Sequence, residues 1–264
     1  MKLRKLKICF IILTMTIMSI VLAVNVAAAS KQFTITVRDT DGNPLSGMRV
    51  SMRDNYSLDT QVEKVTNANG QVTFTMYDNR TYGFNVYDAN HNEMCKYSPN
   101  TYTTSSSVIG LGFTFEKASY NYPTYSNPIE LNGSTIKHSS YFGYRYYGGL
   151  NLHVGLDIAA PADTAIKNVA SAYYQASSLT DSYARGYWVL LKISSSRYVL
   201  YQHMKYKYNG TTTTTDLIPS GTTVGYVGGT GGSITYANHL HIEFLSDSTM
   251  SLDKAVDPLR YIYK

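Results

Sequence analysis

The chain has 264 residues, 44% of them hydrophobic and only 16% charged, with a formal net charge of +5. Four of the positive charges, Lys2, Arg4, Lys5 and Lys7, crowd into the first seven residues with no acidic neighbour, so the remainder sits near +1 and lacks the basic stripe that nucleic-acid binding requires. There are two cysteines; Cys9 lies in an N-terminal apolar run without a lipobox context, which leaves Cys95 alone after export and excludes an intrachain disulfide. Burial, or a metal, has to hold such a fold.

The basic start leads into an apolar run from Ile8 to about Val24 and then into Ala27-Ala28-Ala29, an A-x-A cleavage pattern. Residues 1–29 therefore read as a secretory signal peptide cut after Ala29, and the protein as secreted, with membrane contact only through this segment if it stays uncleaved. The competing reading is a retained anchor, because the run is long for a signal.

Residues 30–116 read as an accessory β-sandwich. Phe33–Val37, Met48–Met52, Gln71–Met76, Tyr82–Tyr87 and Leu111–Phe115 alternate with period 2 and are separated by turn formers. Asp39, Asp41 and Asn43 have the spacing of calcium-loop ligands, but Pro44 stands where that loop needs Gly and the flanks are strands, so a hairpin turn is the reading. His91 reads as a solvated loop histidine, and residues 97–107 as a long polar loop. The order of turns and strands resembles the prealbumin-like, collagen-adhesin B-type and carboxypeptidase-regulatory modules of secreted proteins.

Residues 117–130, poor in aliphatics and closed by Pro123 and Pro128, read as a linker. From 131 to 264 the pattern is again strand-rich, with strands expected at Tyr173–Gln175, Tyr187–Ile193, Tyr198–His203 and Thr223–Val227, and short helical turns near 216–218 and 255–262. The run Thr211–Thr215 reads as a loop tip. The expected fold is all-β: a sandwich followed by an antiparallel sheet domain with a groove. Tyrosine is frequent, 25 against 8 Phe, which suits either sheet coverage or glycan stacking.

Chemistry concentrates in two stretches. In Asn238-His239-Leu240-His241-Ile242-Glu243-Phe244, a strand places His239 and His241 on one side and the apolar residues on the other. In His153-Val154-Gly155-Leu156-Asp157-Ile158, an extended run puts His153, Gly155 and Asp157 on one face, and the absent side chain at Gly155 leaves room between the other two. Two imidazoles and a carboxylate supply three ligands to a tetrahedral zinc with one open position, the pattern of a catalytic site. Glu243, on the His241 face, reads as a partner of that histidine or as a solvated carboxylate.

Together with Tyr201-Gln202-His203-Met204, these stretches resemble the lysostaphin-type (LytM-like) zinc endopeptidases of bacterial peptidoglycan. Tyr141-Phe142-Gly143-Tyr144-Arg145 resembles the family's "FGxR" segment and Gly155 to Pro161 its "GxDxxxP" segment. Pro219-Ser220-Gly221 through Gly225 to Gly231 resembles its glycine-rich run. The resemblance covers residues 130 to 262. It implies a cell-wall-associated monomer whose zinc is held by His153, Asp157 and His241, with His203 and His239 unliganded beside the reacting water as general base and oxyanion stabiliser, in either order. It gives Tyr144 or Tyr146 a place at the oxyanion and Arg145 one on a substrate carboxylate, unless these are plain loop residues; His138 is not read as a ligand. Ala162-Asp163-Thr164-Ala165 departs from the family's Gly-x-Pro-Val turn, which bears on substrate choice. The alternatives are a non-catalytic wall-binding or regulatory protein on the same fold, and an adhesin whose first domain does the work.

Overall fold

The computed structural model describes residues 30–39, 41–55, 62–89, 101–104, 114–117, 122–130 and 137–263. Residues 1–29, read above as a signal peptide, and His91 and Cys95 lie outside them. Among the described residues no helix is long and apolar enough to cross a membrane.

The first unit contains β1 (Ser30–Asp39), β2 (Arg49–Asp54), β3 (Val62–Val65), β4 (Gln71–Tyr77), β5 (Thr81–Tyr87), β6 (Thr101–Thr103) and β7 (Thr114–Lys117). They form two sheets, β4-β1-β7 and β3-β2-β5-β6, antiparallel except for the parallel pair β1–β7. Alternation decides which side chains go inside. Phe33, Ile35 and Val37 of β1 meet Val72, Phe74 and Met76 of β4, and across them lie Val50 and Met52 of β2 with Tyr82, Phe84 and Val86 of β5. At about 1.5–3 kcal/mol for each fully buried large side chain, this core holds the two sheets together. The Asp39 turn closes on itself: its carboxylate accepts from the backbone N–H groups of Asp41 and Asn43 at 3.0 and 2.8 Å. Strand β3 has no counterpart in the sequence reading because Val62-Glu63-Lys64-Val65 is an exposed edge with no hydrophobic alternation to betray it. The expected polar loop at 97–107 contains β6, which pairs with β5 through residues 101–103.

The second unit contains β8 (Lys137–Ser140), β9 (Gly143–Tyr146), β10 (Leu150–His153), β11 (Leu156–Ala159), β12 (Ala165–Lys167), β13 (Ala172–Ser177), β14 (Tyr187–Ser194), β15 (Arg197–Met204), β16 (Leu217–Ile218), β17 (Thr223–Tyr226), β18 (His239–Leu245) and β19 (Ala255–Val256). One large sheet runs β16-β13-β14-β15-β18-β11-β8, with β19 beside β18; β9–β10 and β12–β17 are separate two-stranded hairpins or ladders. The expected helical turns near the C-terminus are 3-10 turns at Leu252–Lys254 and Pro258–Arg260, whereas 217–218 is strand. Leu240, Ile242 and Phe244, the apolar face of β18, sit at the centre of the main core with Leu156, Ile158, Val199 and Tyr201.

Two further expectations are corrected. Residues 122–130 are not a free linker: Ile129 is fully buried, Tyr125 stacks on Phe244 and Tyr261, and the Tyr125 and Ser126 N–H groups donate to the carbonyls of Tyr261 and Val169. Tyr122, Tyr125 and Ile129 here supply packing surface to the main core. The stretch 153–158 is also not one strand. The chain breaks between β10 and β11 at Val154-Gly155, so His153 belongs to the β9–β10 hairpin and Asp157 to the large sheet.

Candidate metal centre

Register brings the site together. In the β11–β18 ladder Asp157 stands opposite His241, and Ala159 opposite His239; in the β15–β18 ladder Gln202 stands opposite His241. Cross-strand neighbours share a face, so the polar face of β18 meets a carboxylate on one side and an amide on the other. His153 arrives from the hairpin, where it pairs with Gly143.

The three expected ligands converge. Asp157 Oδ1 lies 2.7 Å from His241 Nδ1 and 3.1 Å from His153 Nε2, and the two imidazole nitrogens are 3.0 Å apart. Ligand atoms around a tetrahedral zinc with bonds of about 2.0–2.1 Å are about 3.3–3.4 Å apart, so this triangle needs only a slight expansion to hold the ion. All three residues are buried, and together they form the metal-competent cluster among the described residues. His138 is not in it; its ring rests against Tyr141 and Tyr263.

The far side of each imidazole is tied, which settles its tautomer. His153 Nδ1–H donates to the Tyr141 carbonyl at 2.8 Å, leaving Nε2 a free lone pair. His241 Nε2–H donates to Glu243 Oε1 at 3.2 Å, leaving Nδ1 for the metal. Glu243 is thus the buried partner of His241, not a solvated carboxylate, and it accepts in turn from Gln202 Nε2. His203 and His239 follow the same rule without joining the triangle. Their Nδ1–H groups donate to the carbonyls of Thr230 at 2.9 Å and Ala237 at 2.7 Å, so both turn Nε2 towards the centre. Their rings lie 4.6 Å apart.

The charges follow from these contacts. Burial works against charge on Asp157, but the adjoining imidazoles of His153 and His241 outweigh it and hold the carboxyl well below the usual range. Burial likewise opposes charge on His241, yet Asp157 and Glu243 overcome it and raise the imidazole to about 9. His203 is pushed down to about 3, first by burial and then by its neighbours His241 and His239, so it stays neutral. His153 is also lowered, chiefly by burial. A metal needs His241 neutral at Nδ1. Below about pH 9 the metal-free protein must therefore shed the proton shared with Asp157 before it binds. Zinc affinity is expected to rise about tenfold per pH unit from pH 6 to 9 and then level off, a slope that chelator competition at stepped pH will measure.

The centre opens on a cleft of about 540 Å³ bordered by Arg145, Tyr147, Asn151, Tyr236 and Asn238 besides the histidines. Arg145 reaches it, and its guanidinium donates to Asp157 Oδ2 at 3.1 Å and to Ser140 Oγ at 3.0 Å. It is a support of a ligand carboxylate before it is a reader of substrate. Tyr144 does not line the cleft. Strand alternation sends its ring the other way, against Gly83 of the first unit; Tyr146 is not among the lining residues either. The aromatic rim is supplied by Tyr147 and by Tyr236, whose ring lies 4.6 Å from that of His203. Thr230 also escaped the sequence reading: its carbonyl holds His203, and its hydroxyl donates to the Met204 carbonyl at 2.7 Å and accepts from the Tyr187 N–H at 3.0 Å.

Two imidazoles and a carboxylate with one position left open, flanked by two further imidazoles, make up the donor set of a hydrolytic metal centre. Residues 151–258 match the model of peptidase family M23, and this part of the chain is an M23 peptidase domain. Two solved structures are similar over the same half. The catalytic domain of the antimicrobial peptidase lysostaphin from Staphylococcus simulans is 26% identical, with a TM-score of 0.40, over 48% of this chain and 91% of that one. A catalytic-domain mutant of the prophage-encoded M23 protein EnpA from Enterococcus faecalis is also 26% identical, with the same TM-score and coverage.

Proposed function

We propose that the chain is a secreted zinc metalloendopeptidase that hydrolyses peptide bonds in the cross-bridges or stem peptides of bacterial peptidoglycan. The observation that carries the reading is the triangle of Asp157 Oδ1, His153 Nε2 and His241 Nδ1, each 2.7–3.1 Å from the others, with the far nitrogen of each imidazole tied so that the near one faces the triangle. The M23 match supports a peptidase. The signal-like first 29 residues support export. Retention of all five histidine and aspartate positions counts against a degenerate wall-binding protein.

A zinc ion held by His153, Asp157 and His241 would polarise a peptide carbonyl and acidify a water molecule. The chain's own groups do the rest. His203, neutral and with its Nε2 lone pair free, is the acceptor for a proton at the reacting centre. His239, whose Nε2 lies 3.6 Å from Asp157 Oδ1, stands on the other side and, when protonated, is placed to donate to the developing oxyanion and the leaving amine. Arg145 keeps Asp157 Oδ2 occupied so that Oδ1 faces the ligand triangle. Tyr147 and Tyr236 wall the cleft where an extended peptide would lie.

The test is release of new amino groups from purified cell walls. A chelator is expected to lower the rate at least about 100-fold, given the several kcal/mol that a metal supplies to such a reaction, and zinc to restore it. Asp157→Ala is expected to lose the activity without zinc rescue. Full turnover by the metal-free protein would end this reading.

A further inference from the structure

The strand β5 carries more than one sheet needs. Its residues alternate as Tyr82, Phe84 and Val86 towards the sandwich core and Gly83, Asn85 and Tyr87 away from it. In a free-standing sandwich that second face meets water. Here Asn85 is 1% exposed and Tyr87 5%, because the β9 segment of the peptidase unit lies on it.

The contact is a set of directed hydrogen bonds to backbone. Asn85 grips the main chain of Tyr144 from both sides: its Nδ2 donates to the Tyr144 carbonyl at 2.7 Å and its Oδ1 accepts the Tyr144 N–H at 2.6 Å. Arg53 Nε donates to the same carbonyl at 3.0 Å. Two residues earlier the Tyr87 hydroxyl donates to the Phe142 carbonyl at 2.9 Å, and Phe142 is itself buried against Tyr87. Gly83 makes room: a Cβ there would stand 2.6 Å from Cγ of Tyr144.

The gripped stretch, 142–144, lies between two supports of the metal ligands. On one side the Tyr141 carbonyl accepts from His153 Nδ1–H. On the other, Arg145 holds Asp157 Oδ2. Backbone displacement at 142–144 moves both supports together. We propose that the N-terminal module is a built-in brace of the metal centre, in which Asn85, Arg53 and Tyr87 are positioning residues that fix segment 141–145 and through it His153 and Asp157. The proposal rests on the reading of that site as a metal centre, and it gives the module a role that neither wall binding nor spacing requires.

The test uses the full chain with zinc alone as probe, its affinity read by competition with a chromophoric chelator and folding by thermal unfolding. Asn85→Ala removes the two-sided grip and Gly83→Ala drives a methyl group into Tyr144; each is expected to weaken zinc binding about 10–100-fold, the range for losing a partner behind a metal ligand. Tyr87→Phe removes one hydroxyl without changing shape, and is expected to weaken it by a smaller factor. Should Asn85→Ala fail to fold, Gly83→Ala and Tyr87→Phe decide the matter. Thr73→Ala, on the exposed side of the other sheet, is expected to leave zinc affinity unchanged. Variants at 83, 85 and 87 that bind zinc within about twofold of wild type, even with a lowered unfolding temperature, would reduce the contact to mere stabilisation and overturn the proposal. A wild-type chain that takes up no zinc would sink the metal-centre reading itself, a different failure.

Discussion

His203→Ala is expected to lower cell-wall cleavage by about 10²–10⁴-fold, the usual worth of a positioned proton acceptor, while zinc uptake stays at the wild-type level. The separation follows from geometry. His203 is outside the ligand triangle, and its ring is oriented by one hydrogen bond to the Thr230 carbonyl. Its backbone has φ +59°, a left-handed conformation that costs a non-glycine residue roughly 1–3 kcal/mol. Such a cost is tolerated where the surroundings over-determine the position: His203 N–H donates to the Arg185 carbonyl, and Thr230 links the neighbouring Met204 to Tyr187. Truncating the ring removes the proton acceptor but leaves that framework, so the unfolding temperature is expected to stay close to wild type. Parallel assays of amine release, bound zinc and thermal unfolding check the three expectations. Loss of zinc along with activity would place His203 among the ligands and not beside them.

What the sequence revealed of this site, and what it hid, follow from one physical difference. Alternation was visible where one face of a strand is apolar and the other is not, as in Leu240 and Ile242 behind His239 and His241, and there both strand and site face were legible. Where both faces are covered it gave the strand but not what lies on its second face. Strand β5 is buried on both sides, so nothing in Gly83, Asn85 or Tyr87 announces that a second unit lies on it. For the same reason, Tyr144 looked as good a cleft residue as Arg145. Only the docking of Tyr144 against Gly83 decides which of two consecutive side chains faces the metal. Thr230 and Tyr141 act through backbone carbonyls, which every residue has, and no pattern of side chains records that use. Residues 122–130 had the composition of a linker because tyrosine and proline serve equally in packing and in extended connections.

The second large effect is expected from the smallest change, Gly155→Ala. The sequence reading valued Gly155 for the space it leaves between His153 and Asp157 on one strand. The strand turns out to be broken there, yet the space matters more than expected. A Cβ at 155 would stand 2.5 Å from His241 Nε2 and 2.6 Å from the Ile242 carbonyl oxygen, distances no methyl group occupies without something moving. The backbone oxygen belongs to the central strand β18 and cannot swing aside. The His241 ring can, but only by breaking its Nε2–H bond to Glu243, which holds Nδ1 in the ligating orientation. Overpacking of this kind costs typically about 1–3 kcal/mol, and loss of the partner behind a metal ligand costs about 10–100-fold in affinity. Gly155→Ala should therefore bind zinc about 10–100-fold more weakly and lose cleavage in proportion at limiting zinc. Saturating zinc should restore part of the rate, since His153 and Asp157 are not struck. Isothermal titration of the variant with zinc, followed by wall digestion at rising zinc concentrations, will show this pattern. Wild-type affinity with wild-type turnover would mean that the bend at 154–155 yields without disturbing β18.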